Sequence, residues 1–287
     1  MTTRELHAPP KLAPLYAKAL LPQHAGTTLP DTEYVRSGIE FDAGHLAAYN
    51  QVCGFRLSDE LPATYPHVLA FPLQMALMTQ ADFPFPLLGM VHVANRITQR
   101  RPARLGETAT MRVRAENLRA HEKGRQFDVL SELSTSDGVV WSEVSTYLRR
   151  GGGSPDAKPG KQLAAPSPTA IWRVPGDIGR RYAEVSGDRN PIHLHPLTAK
   201  LFGFPSAIAH GMWTKARTLA AFEGRLSGAY TVDVRFKLPV LLPAKVAFTS
   251  WHSDEGWAFE LWNARKPKPH LEGTISSVAT PDLRGGR

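Results

Sequence analysis

Cysteine is nearly absent from this chain, and so are long apolar segments. Cys53 is the single cysteine among 287 residues, so no disulfide can form within the chain and nothing indicates an oxidising compartment. The most apolar region, residues 68–78, is interrupted by Pro72 and Gln74, and no stretch reaches the length that a membrane span needs. We therefore expect neither a disulfide scaffold nor a membrane-spanning protein.

The opening residues also lack the continuous apolar core of a secretory signal. His7, Pro9, Pro10 and Pro14 interrupt this region, whereas a signal peptide requires an unbroken apolar segment. We expect a cytoplasmic protein.

A predicted helix end precedes the first candidate catalytic side chain. Ile178, Tyr182 and Val185 fall on one helical face, and Gly187 stands where a left-handed C-terminal cap is expected. Asp188 therefore leaves the helix at its tip.

A predicted turn then brings a histidine back toward Asp188. The residue before a proline avoids helical backbone and Asn tolerates tight turns, so Asn190 and Pro191 predict a turn. His193 follows Asp188 by five residues, which lets the two side chains share one water molecule as acid and base. The simpler alternative is that Asp188 is only a turn carboxylate.

A second segment, residues 208–212 (IAHGM), begins an apolar helix. Met212, Ala216 and Leu219 have helical spacing, so Gly211 lies in the first turn, where backbone N–H groups have no intrahelical acceptor. Free N–H groups at the positive end of a helix suit an oxygen that gains negative charge in a transition state.

The histidines in these segments also raise the question of a metal site. His193, His195 and His210 lie near one another in sequence, but no cysteine or carboxylate pair completes a set with metal-site spacing. We therefore expect no metal, and we expect His195 at the surface.

Together the two segments resemble the signature of a known enzyme family. Residues 186–193 (SGDRNPIH), then Ala199, Gly203 and Phe204, and residues 208–212 are similar to the motif of the MaoC-like (R)-specific enoyl-CoA hydratases and acyl dehydratases, which have the hotdog fold. The matched positions run from residue 186 to residue 212, so this motif is far more specific than an isolated acid and base.

The resemblance implies a reaction and catalytic roles. Asp188 and His193 would be catalytic, and the Gly211 amide would be the oxyanion donor. The enzyme would add water to a trans-2-enoyl thioester to give the (3R)-hydroxyacyl thioester, or would run the reverse dehydration. The residues alone leave open whether Asp188 or His193 is the net base.

Three further residues are candidates for supporting roles. Asn190 would order the loop by hydrogen bonding, Ser186 would cap the helix, and His210 would pack or bond at the helix N-terminus.

The two halves of the chain repeat one pattern, and 287 residues are enough for two ordinary domains. With the resemblance, this repeat implies an α+β double hotdog, in which each repeat has a curved antiparallel sheet around a central helix. We place the N-terminal hotdog at residues 1–150, a Gly- and Pro-rich linker at 151–168 and the C-terminal hotdog at 169–287. The predicted helices are 12–21, 41–52, 72–80, 177–186 and 211–221, and the predicted strands are 88–98, 108–118, 126–134, 139–148, 230–238, 245–250, 257–263 and 271–278.

Only the second copy carries the predicted chemistry. Phe55 stands where the second copy has Asp188, and five residues later the first copy has Glu60 in place of a histidine. Aligning Pro72 with Gly211 also removes the oxyanion donor, because proline has no N–H. We expect one active site per chain, with the N-terminal half stabilising the sheet and shaping the acyl or coenzyme channel.

A net charge of +8 favours an anionic partner. The phosphates of coenzyme A fit this charge, whereas nucleic acid is not expected because no basic stripe with interleaved aromatic residues is present. Arg217, Arg235 and Lys237 are candidates for binding the coenzyme phosphates, with solvated surface as the alternative. Coenzyme A would be part of the substrate, no metal or redox cofactor is expected, and two chains could associate as a homodimer.

Three other functions stay open. A (3R)-hydroxyacyl dehydratase of fatty-acid or polyketide synthesis would perform the same chemistry on acyl carrier protein. A hotdog thioesterase would need water to attack the carbonyl, which fits the motif less well. A non-catalytic acyl-thioester-binding module would not require the intact pair of Asp188 and His193.

Overall fold

The chain forms eleven strands and seven helices within residues 1–19, 26–151 and 164–278, which are the residues that the computed structural model describes. The strands are β1 (Thr2–Glu5), β2 (Thr32–Glu40), β3 (Met90–Gln99), β4 (Thr108–His121), β5 (Gly124–Thr135), β6 (Gly138–Arg150), β7 (Ala170–Val174), β8 (Tyr230–Phe236), β9 (Ala244–Ser253), β10 (Gly256–Asn263) and β11 (Pro269–Ser277). The helices are α1 (Leu12–Ala19), α2 (Ala43–Cys53), α3 (Tyr65–Met78), α4 (Ile178–Ser186), α5 (Pro191–Leu194), α6 (Pro196–Leu201) and α7 (Gly211–Ala220).

All the strands join one sheet whose two halves mirror each other. The order is β1-β2-β4-β5-β6-β3-β8-β11-β10-β9-β7, and every neighbouring pair is antiparallel except β1 and β2. At the centre, Ala94 of β3 pairs with Arg235 of β8, and Gln99 pairs with Tyr230. Two hotdog sheets therefore join edge to edge within one chain, which confirms the predicted double hotdog.

Each half of the sheet packs around one buried helix. In α3, eleven of fourteen residues are buried, and in α7 eight of ten are buried. A helix surrounded by protein must be apolar on most of its circumference. The strands alternate instead: Tyr230, Val232 and Val234 of β8 are buried and the residues between them are less so, as the two-residue period of a strand requires.

Caps and glycine turns mark the ends of several elements. Asp42 is the N-cap of α2, and its Oδ1 accepts a hydrogen bond from His45 N at 2.6 Å. Gly187 follows α4 with a left-handed φ of 73°, as predicted. Gly124 and Gly256 begin the second strands of equivalent hairpins with φ of 143° and 140°.

The predicted start of the central helix in the first half is wrong. The sequence pattern predicts a helix over 72–80 with Pro72 in the first turn, but α3 begins at Tyr65 and Pro72 lies inside it. Pro66 is the proline of the first turn, where a missing N–H costs nothing within the helix. The first residue of α3, Tyr65, therefore corresponds to Gly211, and the alignment of Pro72 with Gly211 is also wrong.

The sequence pattern missed three strands. These are β1, which is exposed along its whole length, the edge strand β7, and β2, whose pairing with β4 is irregular between Arg36 and Ile39. Short edge strands carry a weak alternation signal because few of their residues are buried.

The domain boundaries stay a prediction. Strands β2–β6 precede residue 151, and β7–β11 follow residue 169, which is consistent with the predicted halves. Of the predicted linker 151–168, residues 152–163 lie outside the described residues, as do residues 20 and 21 of the predicted helix 12–21. No helix in the described ranges is long and apolar enough to cross a membrane.

A buried polar network joins the two halves near the β3–β8 pair. Glu143 accepts hydrogen bonds from His67 Nδ1 at 2.8 Å, from Asn95 Nδ2 at 2.6 Å and from Gln74 Nε2 at 3.2 Å. Lys215 of α7 donates to Asn95 Oδ1 and, at 3.0 Å, to the Asn95 carbonyl. Buried charges require such partners, since an unpaired charge in the interior is costly.

Candidate active site

The end of α4 places the Asp188 carboxylate. The N–H of Gly187 bonds to the Ala183 carbonyl at 3.0 Å, and the left-handed cap then turns the chain out of the helix. Ser186 Oγ accepts a hydrogen bond from Asp188 N at 3.1 Å. The predicted capping residue Ser186 therefore holds the backbone of the candidate catalytic acid.

Asn190 begins the short helix α5, which carries His193. Asn190 N donates to Asp188 Oδ1 at 3.1 Å, and Asn190 Oδ1 is the side-chain cap for Ile192 N at 3.4 Å. Asn190 thus orders the loop as predicted. Gly179 of α4 lets α5 approach closely, because a Cβ at that position would collide with the His193 carbonyl oxygen.

One hydrogen bond determines which nitrogen of His193 carries the proton. His193 Nδ1 lies 2.8 Å from the Ile208 carbonyl oxygen. A carbonyl can only accept, so Nδ1–H donates and, in the neutral ring, Nε2 keeps its lone pair. His193 is therefore prepared to accept a proton at Nε2.

His210 packs on this pair and holds the backbone of Asp188. Its ring centroid lies 3.7 Å from that of His193, and its Nε2 donates to the Asp188 carbonyl at 2.9 Å. Tyr182 packs on the other side, with ring centroids 4.9 Å apart. His210 is the N-cap residue of α7, so it links the start of this helix to the Asp188 loop.

Burial and mutual interactions determine the charges of the cluster. Burial raises the pKa of Asp188, but His210, His193, the Asn190 amide and the Tyr16 hydroxyl outweigh it and hold that pKa below its usual range. Burial lowers the pKa of His193, and burial together with His193 lowers the pKa of His210 to about 3. Near neutral pH, an ionised carboxylate therefore lies beside two neutral imidazoles.

Gly211 is the first residue of α7, so its N–H has no intrahelical acceptor. A Cβ on Gly211 would lie 3.2 Å from the Phe236 ring. The glycine therefore lets Phe236 pack against the start of the helix, a role that the sequence did not predict.

Sequence reasoning missed Tyr16, which reaches Asp188 from α1. The Tyr16 hydroxyl donates to Asp188 Oδ1 at 3.0 Å and accepts from Arg189 N at 2.8 Å. Tyr16 and Asp188 are separated by 172 positions, and the only sequence signal is an apolar stripe along the predicted helix 12–21.

The cluster brings three potential metal ligands together. One atom each from Asp188, His193 and His210 lie within 4.8 Å of one another. His193 Nδ1 and His210 Nε2 already donate to carbonyl oxygens, and His210 Nδ1 diverges from the Nε2 that faces Asp188. One His193 nitrogen and one carboxylate oxygen remain, fewer than the three or four protein ligands of zinc sites. The geometry fits a water molecule better, and the absence of a metal stays a prediction.

The three predicted coenzyme-binding cations do not join the cluster. Arg217 lies in the last turn of α7, with its guanidinium 4.3 Å from the Trp172 ring centroid. Arg235 is exposed on β8, on the sheet face opposite Val234, because side chains alternate along a strand. Lys237 pairs with Glu272 at 2.6 Å. Their assignment to coenzyme phosphates stays a prediction.

Known proteins resemble this chain in sequence and in fold. The sequence model of the protein family described as MaoC like domain matches residues 154–273. The 3-hydroxyacyl-thioester dehydratase X of Mycobacterium tuberculosis is 42% identical over 254 residues, which cover 87% of this chain and 91% of the relative. The crystal structure of HtdX from that organism has a TM-score of 0.77 at 41% identity, covering 86% of this chain and 100% of that one.

A more distant structure bears on the fold alone. A conserved hypothetical protein of Mycobacterium tuberculosis, described as having a double hotdog fold, has a TM-score of 0.51 at 14% identity and covers 85% of this chain and 95% of that one. Because the dehydratase is similar over most of both chains and the family model matches the half that contains Asp188, the chain belongs to the MaoC-like dehydratase family.

Proposed function

We propose that the protein is a hydro-lyase that interconverts a trans-2-enoyl thioester and the (3R)-3-hydroxyacyl thioester by adding or removing water. The observation that carries this proposal is the pairing of an ionised Asp188 with a His193 whose Nε2 is unprotonated, beside the first turn of α7. The similarity to a dehydratase named for 3-hydroxyacyl thioesters supports this substrate class.

The proposed hydration uses the pair for two proton transfers. The oxygen of water bonds to C3, the electrons of the C2–C3 double bond move toward the thioester carbonyl, and the water gives a proton to the pair. The pair then gives one proton to C2, so Asp188 and His193 end in their starting states. The Gly211 N–H donates to the oxygen that becomes enolate-like, and one such donor contributes about 3 kcal/mol.

Each chain has one such site. Phe55 stands after the helix cap in the first half, where the second half has Asp188, and its ring stacks on Tyr49 with centroids 6.4 Å apart. Phe55 therefore packs where the other half performs acid–base chemistry.

Coenzyme A is the proposed carrier, with acyl carrier protein as the alternative that uses the same chemistry. No resident cofactor, nucleic acid or membrane takes part in this reaction. A homodimer stays a prediction that sedimentation of the purified chain would test.

The first experiment uses purified protein with short, medium and long trans-2-enoyl-CoA. The loss of ultraviolet absorbance of the conjugated thioester measures hydration, and chiral analysis identifies the product. We expect the (3R) alcohol, with kcat/KM lowered by about 1,000-fold in Asp188→Asn and His193→Ala.

His195→Ala is the matched control, since His195 is exposed and caps α6. It should keep wild-type activity. Equal losses in His193→Ala and His195→Ala would contradict the assigned pair. Turnover of acyl carrier protein thioesters alone would change the carrier, and binding of acyl-CoA without any turnover would support a binding module instead.

A further inference from the structure

The N-terminal arm, residues 1–19, connects the edge of the first sheet to the candidate active site. Its strand β1 pairs with β2 in parallel, and α1 then reaches the loop after α4. The less exposed residues of α1 are Leu12, Leu15, Tyr16 and Ala19, which share one helical face. The strand of the arm therefore belongs to the sheet of the first half, while its helix contacts the candidate active site in the second half.

Two residues one turn apart on α1 contact the catalytic loop. Leu12 packs against Gly187, where any Cβ would collide with its side chain. Tyr16 then lies over the next two residues, Asp188 and Arg189. The left-handed glycine thus also makes room for the arm.

The Tyr16 hydroxyl is held in one orientation. It accepts a hydrogen bond from Arg189 N at 2.8 Å, and a backbone N–H can only donate. The hydroxyl hydrogen is therefore free to point at Asp188 Oδ1, 3.0 Å away. Burial, with Asp188 as a further contribution, raises the pKa of Tyr16, so the hydroxyl keeps that hydrogen at neutral pH.

The two oxygens of Asp188 are consequently unequal. Oδ1 accepts from the Tyr16 hydroxyl and from Asn190 N. Oδ2 lies 3.7 Å from His210 Nε2, beyond hydrogen-bond distance, and the side chain keeps 29% of its surface exposed.

We propose that Tyr16 is a positioning residue of the active site, which saturates Asp188 Oδ1 and so leaves Oδ2 to face the reacting water. This inference rests on the proposed hydro-lyase function. It assigns the N-terminal arm of the first half a part in the chemistry of the second half.

Several groups besides Tyr16 influence the titration of Asp188. His193 of α5 and His210 before α7 favour the carboxylate, while Tyr147 of β6 and Tyr182 of α4 also face it. All of these stay in place in Tyr16→Phe, which removes one oxygen and keeps the ring packed.

The test compares Tyr16→Phe with Tyr34→Phe across a range of pH, using trans-2-enoyl-CoA. A hydrogen bond to a charged group has a free energy that corresponds to about a 10-fold change, so we expect Tyr16→Phe to lower kcat about 10-fold with little change in KM. Loss of a donor to the carboxylate raises the pKa of Asp188. The acid limb of the pH profile should therefore move up by about one unit.

Tyr34→Phe is the control because the Tyr34 hydroxyl also contacts the arm, accepting from Arg4 Nη1 at 3.3 Å. Within the described residues it forms no hydrogen bond with the catalytic loop. It should keep the wild-type rate and pH profile. Equal losses in both variants would reduce Tyr16 to an anchor of the arm, and an unchanged Tyr16→Phe would overturn the proposal.

A second readout does not depend on turnover. Tyr16→Phe should lower Tm by about 3 °C in the wild-type background and by much less in Asp188→Asn, since the charged acceptor is then gone. If wild-type protein turned over no thioester, the proposed function would be rejected, while this cycle would still decide whether the Tyr16 hydroxyl acts on Asp188. An equal drop in both backgrounds would overturn the pairing itself.

Discussion

The two helix ends at Gly54 and Gly187 have nearly the same backbone but are followed by very different side chains. Both glycines are left-handed, with φ of 82° and 73°, and both cap a helix by bonding to the carbonyl four residues earlier. Phe55 follows the first and packs on Tyr49, whereas Asp188 follows the second and enters a polar cluster. The fold requires the glycine, and the next position is free to carry either packing or chemistry.

The two halves also differ in how they treat a buried carboxylate. The Glu143 side chain is 0% exposed and has three side-chain donors. The Asp188 side chain is 29% exposed, and within the described part of the chain its Oδ2 accepts no hydrogen bond. A saturated, sealed carboxylate contributes to the fold, and an unsaturated, accessible one is available to a substrate.

Removing each carboxylate and measuring both stability and activity is the strongest test of this difference. Glu143→Ala leaves His67 and Lys215 without their carboxylate, so we expect the free energy of unfolding to fall by about 3 kcal/mol. Asp188→Asn should change it by less than about 1 kcal/mol while abolishing most activity. Denaturant titration of both variants beside their kcat/KM measures this, and a large loss of stability in Asp188→Asn would remove the distinction.

The start of α7 offers a second test, because Gly211 can be changed with and without its N–H. Gly211→Ala presses on Phe236 but keeps the donor, whereas Gly211→Pro removes the donor at a helix position where proline is tolerated. We expect kcat of the proline variant to be about 100-fold below that of the alanine variant. Equal kcat values would show that the Gly211 N–H is not the oxyanion donor.

Gly44 and Gly179 form a matched pair, since each is the second residue of its helix. A Cβ on Gly44 would meet only Asp42 Oδ1, at 3.3 Å, but one on Gly179 would collide with the His193 carbonyl. We expect Gly179→Ala to displace α5 and lower kcat/KM about 10-fold. Gly44→Ala should stay within about 2-fold of wild type, and a similar loss there would mean that α2 and α4 constrain the site equally.

The pH dependence of stability gives the smallest expected effect. Burial lowers the pKa of His210 in the second half, and of His92 in the first, from 6.5 to about 3. Below pH 6.5 the unfolded chain therefore binds protons that the folded chain does not, so this stability is present above pH 6.5 and lost as the pH falls toward 3. Between pH 6.5 and about 5.5 we expect each histidine to account for about 1 kcal/mol.

Denaturant unfolding of wild type, His210→Phe and His92→Phe at both pH values measures how much each histidine contributes to the change in the free energy of unfolding. A smaller contribution of His210 than of His92 to the pH dependence of the free energy of unfolding would show that Asp188 stabilises the charged form of His210. If neither variant reduced this pH dependence, the assignment of neutral histidines would be contradicted.

Local signals determined the part of the site that lies between residues 186 and 212. The Gly187 cap, the turn at Asn190 and the short spacing to His193 each depend on backbone preferences of a few adjacent residues, so the sequence was sufficient to predict them. The repeated order of helices and strands likewise predicted two copies of one fold, because side-chain periodicity persists over whole elements. The family resemblance implied that this fold is the hotdog.

Where burial overrides local pattern, the sequence was misleading. Pro72 carries a helix-start signal, yet α3 begins at Tyr65 because its buried environment tolerates an internal proline.

The sequence by itself determined the fold class and the short loop that carries Asp188 and His193, and its assignment of catalysis to one half stays a prediction. Only the tertiary structure decided that Tyr16 joins them, that His210 holds the Asp188 backbone, and that Glu143 lies in a sealed network between the halves. The physical reason is one of range. Caps and turns follow from neighbouring residues, whereas a contact across 172 positions exists only once the two halves of the chain have packed against each other.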